Sequence, residues 1–270
     1  MADRIITSLH NPRVKDAIRL RSARHRQKQQ RFLIDGAREL VRAIAAAVPL
    51  VETFVCESLC TSPESRLALN LLRQAPGEQW QVSEGVFARL AFGERAEGFL
   101  AVARTPQSSL ADLRPRGPGP IAVIEGVEKP GNVGAILRSA DAAGVSAVLV
   151  ADPATDIYNP NCIRASLGAV FSIPLCATMS AAALDWLRQR GTPMFAARVD
   201  GKLDYAAADL RGEVAIVLGS EAEGLSPAWQ AADVTAIRLP MAGAVDSLNV
   251  SATAAVLFYE SLRQRLAQAK

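Results

Sequence analysis

Three stretches of the chain place glycine, amide, hydroxyl and charged side chains directly after apolar runs. They are KPGNVGAILRSADAAG from Lys129, VAIVLGSEAEGLS from Val214 and LPMAGAVDSLNVSATAAVLFYE from Leu239. The carboxyl ends of parallel strands meet at one edge of a sheet, where ligands bind. Three such junctions therefore predict one shared pocket, in which polar groups on turns do the chemistry.

The residue types disfavour several other chemistries. The two histidines, His10 and His25, both lie near the N-terminus, which argues against a Ser–His hydrolase or a histidine-dependent dehydrogenase. A nicotinamide site would need Gly-x-Gly-x-x-Gly, and the chain has only Gly131-Asn-Val-Gly134. No two of the four cysteines form a Cys-x-x-Cys pair, so we expect structural thiols and no metal site.

From residue 121 onward, strand and helix patterns alternate, which predicts a doubly wound parallel sheet of the α/β class. Ser247 is expected to cap the last helix, with Leu248 and Asn249 as its first residues. The predicted strands cover 121–125, 147–151, 171–175, 193–199, 214–218 and 236–239. The predicted helices cover 133–143, 160–170, 181–190 and 248–268.

The first hundred residues predict a smaller α/β domain. Helices are expected over 13–30, 37–47, 64–74 and 86–91, and strands over 31–34, 51–56, 79–83 and 98–103. A segment rich in Ser, Pro and Gly at 107–119 reads as a linker. The domains are therefore 1–106 and 120–270. No 18-residue uncharged apolar run and no signal-peptide core is present, so we expect a cytoplasmic protein.

Charge is unevenly distributed along the chain. Residues 1–42 carry eleven Lys and Arg against four acids, while the whole chain has a net charge of +3. A basic segment on an otherwise mildly acidic protein favours a polyanion as partner, although a solvated helix face would have the same composition.

The order and the residues of the three stretches resemble the three motifs of the SpoU/TrmH family of RNA ribose 2′-O-methyltransferases. The resemblance covers residues 120–270 well and the first hundred more loosely. It implies the SPOUT fold, in which a deep trefoil knot forms in the C-terminal domain, and S-adenosylmethionine as cofactor. Two segments are similar to the substrate-binding domain of such enzymes, namely SLHNPRVK near the N-terminus and RFLIDGARELVRA after it. The resemblance implies that this domain folds like a ribosomal protein and binds RNA.

The resemblance also implies roles for particular residues. Arg138 would engage the ribose 2′-hydroxyl, either as a base or by orienting it and stabilising the developing charge; from the residues alone, a surface pair with Asp141 is the alternative. Asn132 would bond Arg138 or the substrate, or simply cap a helix, and Glu221 would hold Arg138 or the cofactor loop. The catalytic set that the motifs imply is Asn132, Arg138, Glu221, Ser247 and Asn249.

The same matches place six residues against the cofactor, namely Ala197, Leu218, Gly219, Leu239, Met241 and Leu248. The candidate RNA contacts are Arg13, Lys15, Arg24, Arg31 and Arg164. One departure concerns the residue before Pro-Gly-Asn, where the family often has Asp and this chain has Lys129, preceded by Glu128. That difference leaves the local ion pairing open.

The predicted function is methylation of a ribose 2′-hydroxyl in RNA, with 23S ribosomal RNA as the favoured substrate. A transfer-RNA methyltransferase and a non-catalytic module for RNA binding or ribosome assembly are the alternatives. The family also implies a homodimer formed through the C-terminal domain. The apolar residues Val250, Ala254, Leu257 and Leu262 of the last helix are compatible with that contact, and equally with core packing.

Overall fold

A computed structural model describes residues 5–92 and 97–268 of the chain. Its internal contacts define two units. The first comprises Met1–Gln107 together with Asp156–Ser172, and the second comprises Ser108–Thr155 and Ile173–Lys270. The segment Asp156–Ser172 therefore folds with the first unit, although its sequence lies between two strands of the second.

The first unit contains a mixed five-stranded sheet of order β1-β4-β3-β5-β2. Its core combines Leu33, Phe54, Phe87 and Leu100, all buried. Its strands are β1 (Ile5–Ile6), β2 (Arg31–Asp35), β3 (Leu50–Val55), β4 (Glu78–Val82) and β5 (Phe99–Arg104). Its helices are α1 (Pro12–Arg19), α2 (Ala23–Gln29), α3 (Ala37–Ala45), α4 (Pro63–Leu72), α5 (Glu84–Leu90) and α7 (Pro160–Ala165).

The single helix predicted over residues 13–30 is wrong, because the chain breaks between α1 and α2. Ser22 adopts an extended conformation before α2, which interrupts the helical path. The guanidinium of Arg26 donates hydrogen bonds to the carbonyl oxygens of Leu20 and Arg21, at 3.0 and 2.8 Å. A buried arginine thus satisfies the backbone groups that the break exposes.

The segment Asp156–Ser172 is held in the first unit by two ion pairs and by aromatic stacking. Arg26 Nε lies 2.5 Å from the Asp156 carboxylate, and Arg164 lies 2.9 Å from that of Asp35. The ring of Phe32 on β2 stacks on Tyr158 at a centroid distance of 4.7 Å. The helix predicted over 160–170 ends early, at Ala165, because two left-handed residues follow it, Leu167 and Gly168.

The second unit contains an all-parallel sheet of seven strands, in the order β10-β12-β9-β11-β6-β7-β8. This confirms the predicted parallel α/β class. Its strands are β6 (Ile121–Glu125), β7 (Ala147–Ala151), β8 (Leu175–Thr178), β9 (Met194–Ala197), β10 (Leu203–Asp204), β11 (Ala215–Leu218) and β12 (Val234–Arg238). Its helices are α6 (Pro130–Ala143), α8 (Ser180–Gln189) and α9 (Val250–Gln268).

The apolar spacing of the first motif is confirmed on α6. The residues predicted to form its buried face are all inside, and they are Val133, Ile136, Leu137, Ala140 and Ala143. Two short strands, β1 and β10, were not predicted, since two residues carry no periodic signal. The strand predicted at 171–175 is displaced: residues 169–171 form a turn of 3-10 helix, and β8 begins only at Leu175.

All four cysteines are free and buried, as structural thiols should be. Burial raises the pKa of the Cys162 thiol to about 12 and that of Cys60 to about 11, so both thiols stay protonated and unreactive near neutral pH. Among residues 5–92 and 97–268, no helix is long and apolar enough to cross a membrane.

Candidate active site

A cavity of about 1130 Å³ opens at the carboxyl ends of β9, β11 and β12. Three loops line it, each following one of these strands: residues 197–200, 218–225 and 238–248. The six residues predicted to contact a cofactor all line this cavity. They are Ala197, Leu218, Gly219, Leu239, Met241 and Leu248.

The charged residues of the cavity wall are mainly acidic. Asp200, Glu221, Glu223 and Asp246 carry carboxylates, against the guanidiniums of Arg198 and Arg238, which gives the lining a net charge of minus two. Arg198 forms a two-point pair with Asp200, with donor–acceptor distances of 2.9 and 2.6 Å. The remaining carboxylates favour a ligand that carries positive charge.

Glu221 joins the three sequence motifs. Its Oε1 accepts hydrogen bonds from Asn132 Nδ2 at 2.5 Å and from Asn249 Nδ2 at 2.8 Å. Asn132 stands in the third position of α6, Glu221 follows β11, and Asn249 precedes α9. Because β6 and β11 are neighbours in the sheet, the turns that follow them come within hydrogen-bond reach. The predicted meeting of the three motifs is therefore present in the structure.

One alternative role and one expectation for residues at this cluster are wrong. Asn132 does not cap α6, since Lys129 occupies the N-cap position. Ser247 does not cap the last helix, which begins at Val250. Asn249 fills that place, and its Oδ1 accepts hydrogen bonds from Ser251 N at 2.9 Å and from Ser251 Oγ at 2.6 Å. Asn249 therefore uses its oxygen to cap the helix and its nitrogen to bind Glu221, while Ser247 lines the cavity.

Lys129 resolves the ion pairing that the sequence left open. Its Nζ lies 3.5 Å from Glu221 Oε2, so the lysine pairs with the same carboxylate that holds the two asparagines. Its side chain is 72% exposed, which makes the pair a weak one in solvent.

Gly219 is required by the backbone around it. A Cβ at this position would lie 2.3 Å from the carbonyl group of Gly224. Ser220 and Gly224, on the two sides of this tight loop, are joined by reciprocal backbone hydrogen bonds of 3.0 and 3.1 Å. The glycine therefore lets the loop close on itself at the cavity wall.

Arg138 lies on α6 with its side chain exposed. The predicted contacts to Asn132 and Glu221 are not formed: within the described part of the chain, neither residue is hydrogen-bonded or ion-paired with Arg138. Its guanidinium is thus available to a bound molecule, and its planar fork matches a phosphate or an alkoxide.

Glu125, at the end of β6, is a residue whose role sequence reasoning missed. It is 5% exposed and accepts hydrogen bonds from Ser180 Oγ, from Ser226 N and Oγ, and from Trp229 Nε1. The available signal was an acid ending an otherwise apolar strand, since a buried carboxylate needs several donors.

Two predicted RNA contacts instead make ion pairs within the first unit. Arg13 pairs with Glu52 and Glu78, at 3.1 and 2.7 Å, and its guanidinium stacks over Trp80. Arg164 pairs with the buried Asp35. Desolvation raises the pKa of Asp35 to about 6, although the backbone N–H of Phe92 and the charge of Arg164 oppose this shift.

The other three predicted RNA contacts, Lys15, Arg24 and Arg31, are exposed or partly exposed. Burial raises the pKa of the Glu52 carboxyl, against the opposing effects of the hydrogen bond and charge of Arg13 and, to a smaller extent, of the charge of Arg31. These three cations remain accessible to a polyanion.

Fold and site together define an α/β protein with a ligand cavity at the carboxyl edge of a parallel sheet, and beside it a cluster of polar side chains from the three sequence motifs. The chain belongs to the SpoU rRNA Methylase family, whose model matches residues 120–259. Residues 11–101 match the MRM3-like substrate binding domain. The resemblance stated from the three motifs is thereby confirmed.

Several known proteins are similar over nearly the whole chain. A 23S rRNA (uridine(2479)-2'-O)-methyltransferase of Streptomyces viridochromogenes is 32% identical, over 89% of this chain and 85% of the relative. A solved RNA 2'-O ribose methyltransferase is 44% identical and has a TM-score of 0.83, with 97% and 99% of the two chains covered. An AdoMet-bound rRNA methyltransferase from Sinorhizobium meliloti is 26% identical and has a TM-score of 0.86, with 96% and 97% covered.

Proposed function

We propose that this protein transfers a methyl group from S-adenosylmethionine to a ribose 2′-hydroxyl of 23S ribosomal RNA. The observation that carries the proposal is the cluster of Asn132, Glu221 and Asn249. It unites the three motifs of an RNA methylase family beside one cavity. The relative from Streptomyces viridochromogenes bears the name of such an activity on 23S rRNA.

The cavity suits the cofactor in size and charge. Its volume of about 1130 Å³ is ample for a nucleoside with an amino-acid side arm. S-adenosylmethionine bears a positive sulfonium, which the net negative lining favours. We assign its binding to Ala197, Leu218, Gly219, Leu239, Met241 and Leu248. When bound, the cofactor supplies an electrophilic methyl group.

The protein's own contribution is orientation and electrostatics. The ribose oxygen has to be held in line with the methyl group, at about 3 Å, an effect worth several kcal/mol. We assign this task to Arg138, the exposed cation on α6, with Ser247 and the Glu221 cluster fixing the loops around it. Arg138 either takes the hydroxyl proton or stabilises the developing negative charge; the second role needs no deprotonated arginine.

We assign RNA binding to the domain of residues 1–106, with which Asp156–Ser172 folds, and catalysis to the rest of 120–270, knotted as the family implies. The predicted linker, 107–119, belongs to the second unit from Ser108 onward. Accessible cations for the phosphate backbone are Lys15, Arg24 and Arg31. Arg13 and Arg164, which are partly exposed and oriented by their ion pairs, belong to the same proposed set. A cytoplasmic location is part of the proposal, because the similar proteins of Streptomyces viridochromogenes and Sinorhizobium meliloti are bacterial rRNA methyltransferases.

We also propose a homodimer. Val250, Ala254 and Leu257 of α9 are buried in the protomer, so they belong to its core. Leu262 is partly buried, and the large apolar residues that α9 exposes to a second copy are Tyr259 and Leu266, 51% and 59% exposed. Light scattering coupled to size-exclusion chromatography distinguishes a dimer of about 57 kDa, twice the mass of the 28.7 kDa chain, from a monomer.

The central test is methyl transfer from labelled S-adenosylmethionine to ribosomal RNA, by the wild type and by Arg138→Ala. We expect label in ribose with the wild type, located by resistance to alkaline cleavage, and at least a hundredfold less with the variant. Arg211→Ala is the matched control. Arg211 is an exposed arginine that precedes β11, at the sheet edge opposite the cavity, and should leave the rate unchanged.

Other outcomes would overturn the proposal. Label on a base would refute the chemistry, and label only in transfer RNA would identify the alternative substrate. RNA binding without any binding of S-adenosylmethionine would favour the non-catalytic module. Arg138→Lys separates the contribution of the planar guanidinium from that of the positive charge, because lysine keeps the charge but loses the planar fork.

A further inference from the structure

Glu125 is a buried carboxylate placed between the sheet and a loop of the cavity. It ends β6, and its two oxygens accept four hydrogen bonds. One donor, Ser180 Oγ, belongs to α8. The other three come from one short segment: Ser226 N at 2.7 Å, Ser226 Oγ at 2.8 Å and Trp229 Nε1 at 3.0 Å.

The donors explain why this position holds a carboxylate. None of the four is charged, and no Lys or Arg of the described residues forms an ion pair with Glu125. Burying a charge without a counter-charge costs desolvation free energy, so the four hydrogen bonds have to offset that cost. A carboxylate accepts on every side, whereas the amide of glutamine would turn an NH₂ group toward an N–H donor.

The segment held by Glu125 continues directly from the cavity wall. Residues 218–225 line the cavity and include Glu221, and Ser226 is the next residue. Trp229, which is fully buried, precedes Gln230, another cavity residue. The loop of residues 219–226 is thus closed at one end by the Ser220–Gly224 bonds and tied at the other end to the sheet by Glu125.

From this arrangement we propose that Glu125 is a positioning residue for methyl transfer: it anchors the 219–226 loop, and through it Glu221 and the cofactor cavity. The role rests on the proposed function, because it concerns the cofactor's loop. It adds a residue outside the cavity to the catalytic apparatus. Ser180, by contrast, joins Glu125 to α8, which contributes nothing to the cavity lining.

The experiment compares three variants of the full-length protein. Glu125→Gln removes the charge, Trp229→Phe removes one donor on the loop side, and Ser180→Ala removes the donor on the α8 side. Equilibrium binding of S-adenosylmethionine is measured by calorimetry, at a temperature where circular dichroism shows each variant folded. Hydrogen exchange reports separately on the backbone amides of residues 219–226.

We expect Glu125→Gln to weaken cofactor binding by about tenfold or more, and Trp229→Phe by several-fold, since hydrogen bonds to a charged group are lost. Amides of the loop, that of Ser226 above all, should exchange faster in both variants. Ser180→Ala should change neither quantity. Should Glu125→Gln fail to fold, Trp229→Phe tests the anchor by itself.

Two results would overturn the proposal. One is unchanged cofactor affinity and loop exchange in folded Glu125→Gln. The other is an equal loss of affinity in Ser180→Ala and Trp229→Phe, which would indicate general destabilisation. If the wild type bound no S-adenosylmethionine, the proposed function would fail, while loop exchange would still decide whether Glu125 anchors the loop.

Discussion

Asn249 performs two tasks with opposite ends of one amide, and substitution can separate them. Its oxygen caps α9 by accepting from Ser251, while its nitrogen donates to Glu221 at 2.8 Å. Serine is also a preferred N-cap, but it is too short to reach Glu221. Asn249→Ser should therefore keep the helix cap and lose the donor, whereas Asn249→Ala should lose both.

The sizes of the two effects follow from the structure. A hydrogen bond to a charged group contributes about 1.5–3 kcal/mol, and because Asn249 is exposed we take the lower end. A loss of about 1.5 kcal/mol in the transition state lowers kcat/KM by roughly tenfold. The cap contributes about 1 kcal/mol to stability, which corresponds to a change in Tm of about 2–4 °C.

The assay combines methyl transfer to ribosomal RNA with thermal unfolding of each variant. We expect both variants to lose about tenfold in kcat/KM, and only Asn249→Ala to unfold at a lower temperature. Full activity in Asn249→Ser would refute the reasoning, because it would mean that the bond to Glu221 does not support catalysis. An equal fall in Tm for both variants would refute the assignment of the cap.

Three further predictions concern the loop and the first unit. Gly219→Ala would place a methyl group 2.3 Å from the Gly224 carbonyl, so we expect at least tenfold weaker binding of S-adenosylmethionine in a titration, with Gly131→Ala, an open position, as control. The pKa of Asp35, raised to about 6, lies above its unfolded value near 3.9, so the folded protein binds the extra proton between these values. The stability that this proton contributes, about 3 kcal/mol, should be present below pH 4 and lost as the pH rises through 6. Urea unfolding across pH 4–7 should show this fall in the free energy of unfolding, and the fall should be smaller in Asp35→Asn. Arg26→Met would leave Asp156 unpaired and two carbonyls without a donor, and should cost about 3 kcal/mol by the same assay, whereas the exposed neighbour Arg24→Met should cost less than about 0.5.

Much of the second unit could be predicted because its signals are local. Strands β6 and β7 match their predicted bounds, since uninterrupted apolar runs bounded by turn residues indicate buried parallel strands. The buried face of α6 follows from helical periodicity alone. The six residues predicted to bind the cofactor line one cavity because each ends or follows a strand of the same parallel sheet.

Other features depend on partners that are distant in sequence. The break between α1 and α2 is stabilised by the side chain of Arg26, and the assignment of Asp156–Ser172 to the first unit depends on ion pairs that span about 130 residues. No periodic pattern encodes such pairings. The ion pairs of Arg13 and Arg164 were not predicted, because charge counts do not show which carboxylates lie opposite a cation.

The sequence by itself determined most strands of the parallel sheet, which residues lie at their carboxyl ends, and therefore where the site is and which family the chain belongs to. Tertiary structure decided how the polar groups of that site are shared. Asn249 rather than Ser247 caps α9, Glu221 binds the two asparagines and Lys129 rather than Arg138, and Glu125 ties the loop to the sheet. The physical reason is the separation along the sequence between interacting residues. Helices and strands are set by neighbours a few residues apart, whereas a buried or shared carboxylate accepts hydrogen bonds from donors that are distant in sequence and that only the folded structure brings close.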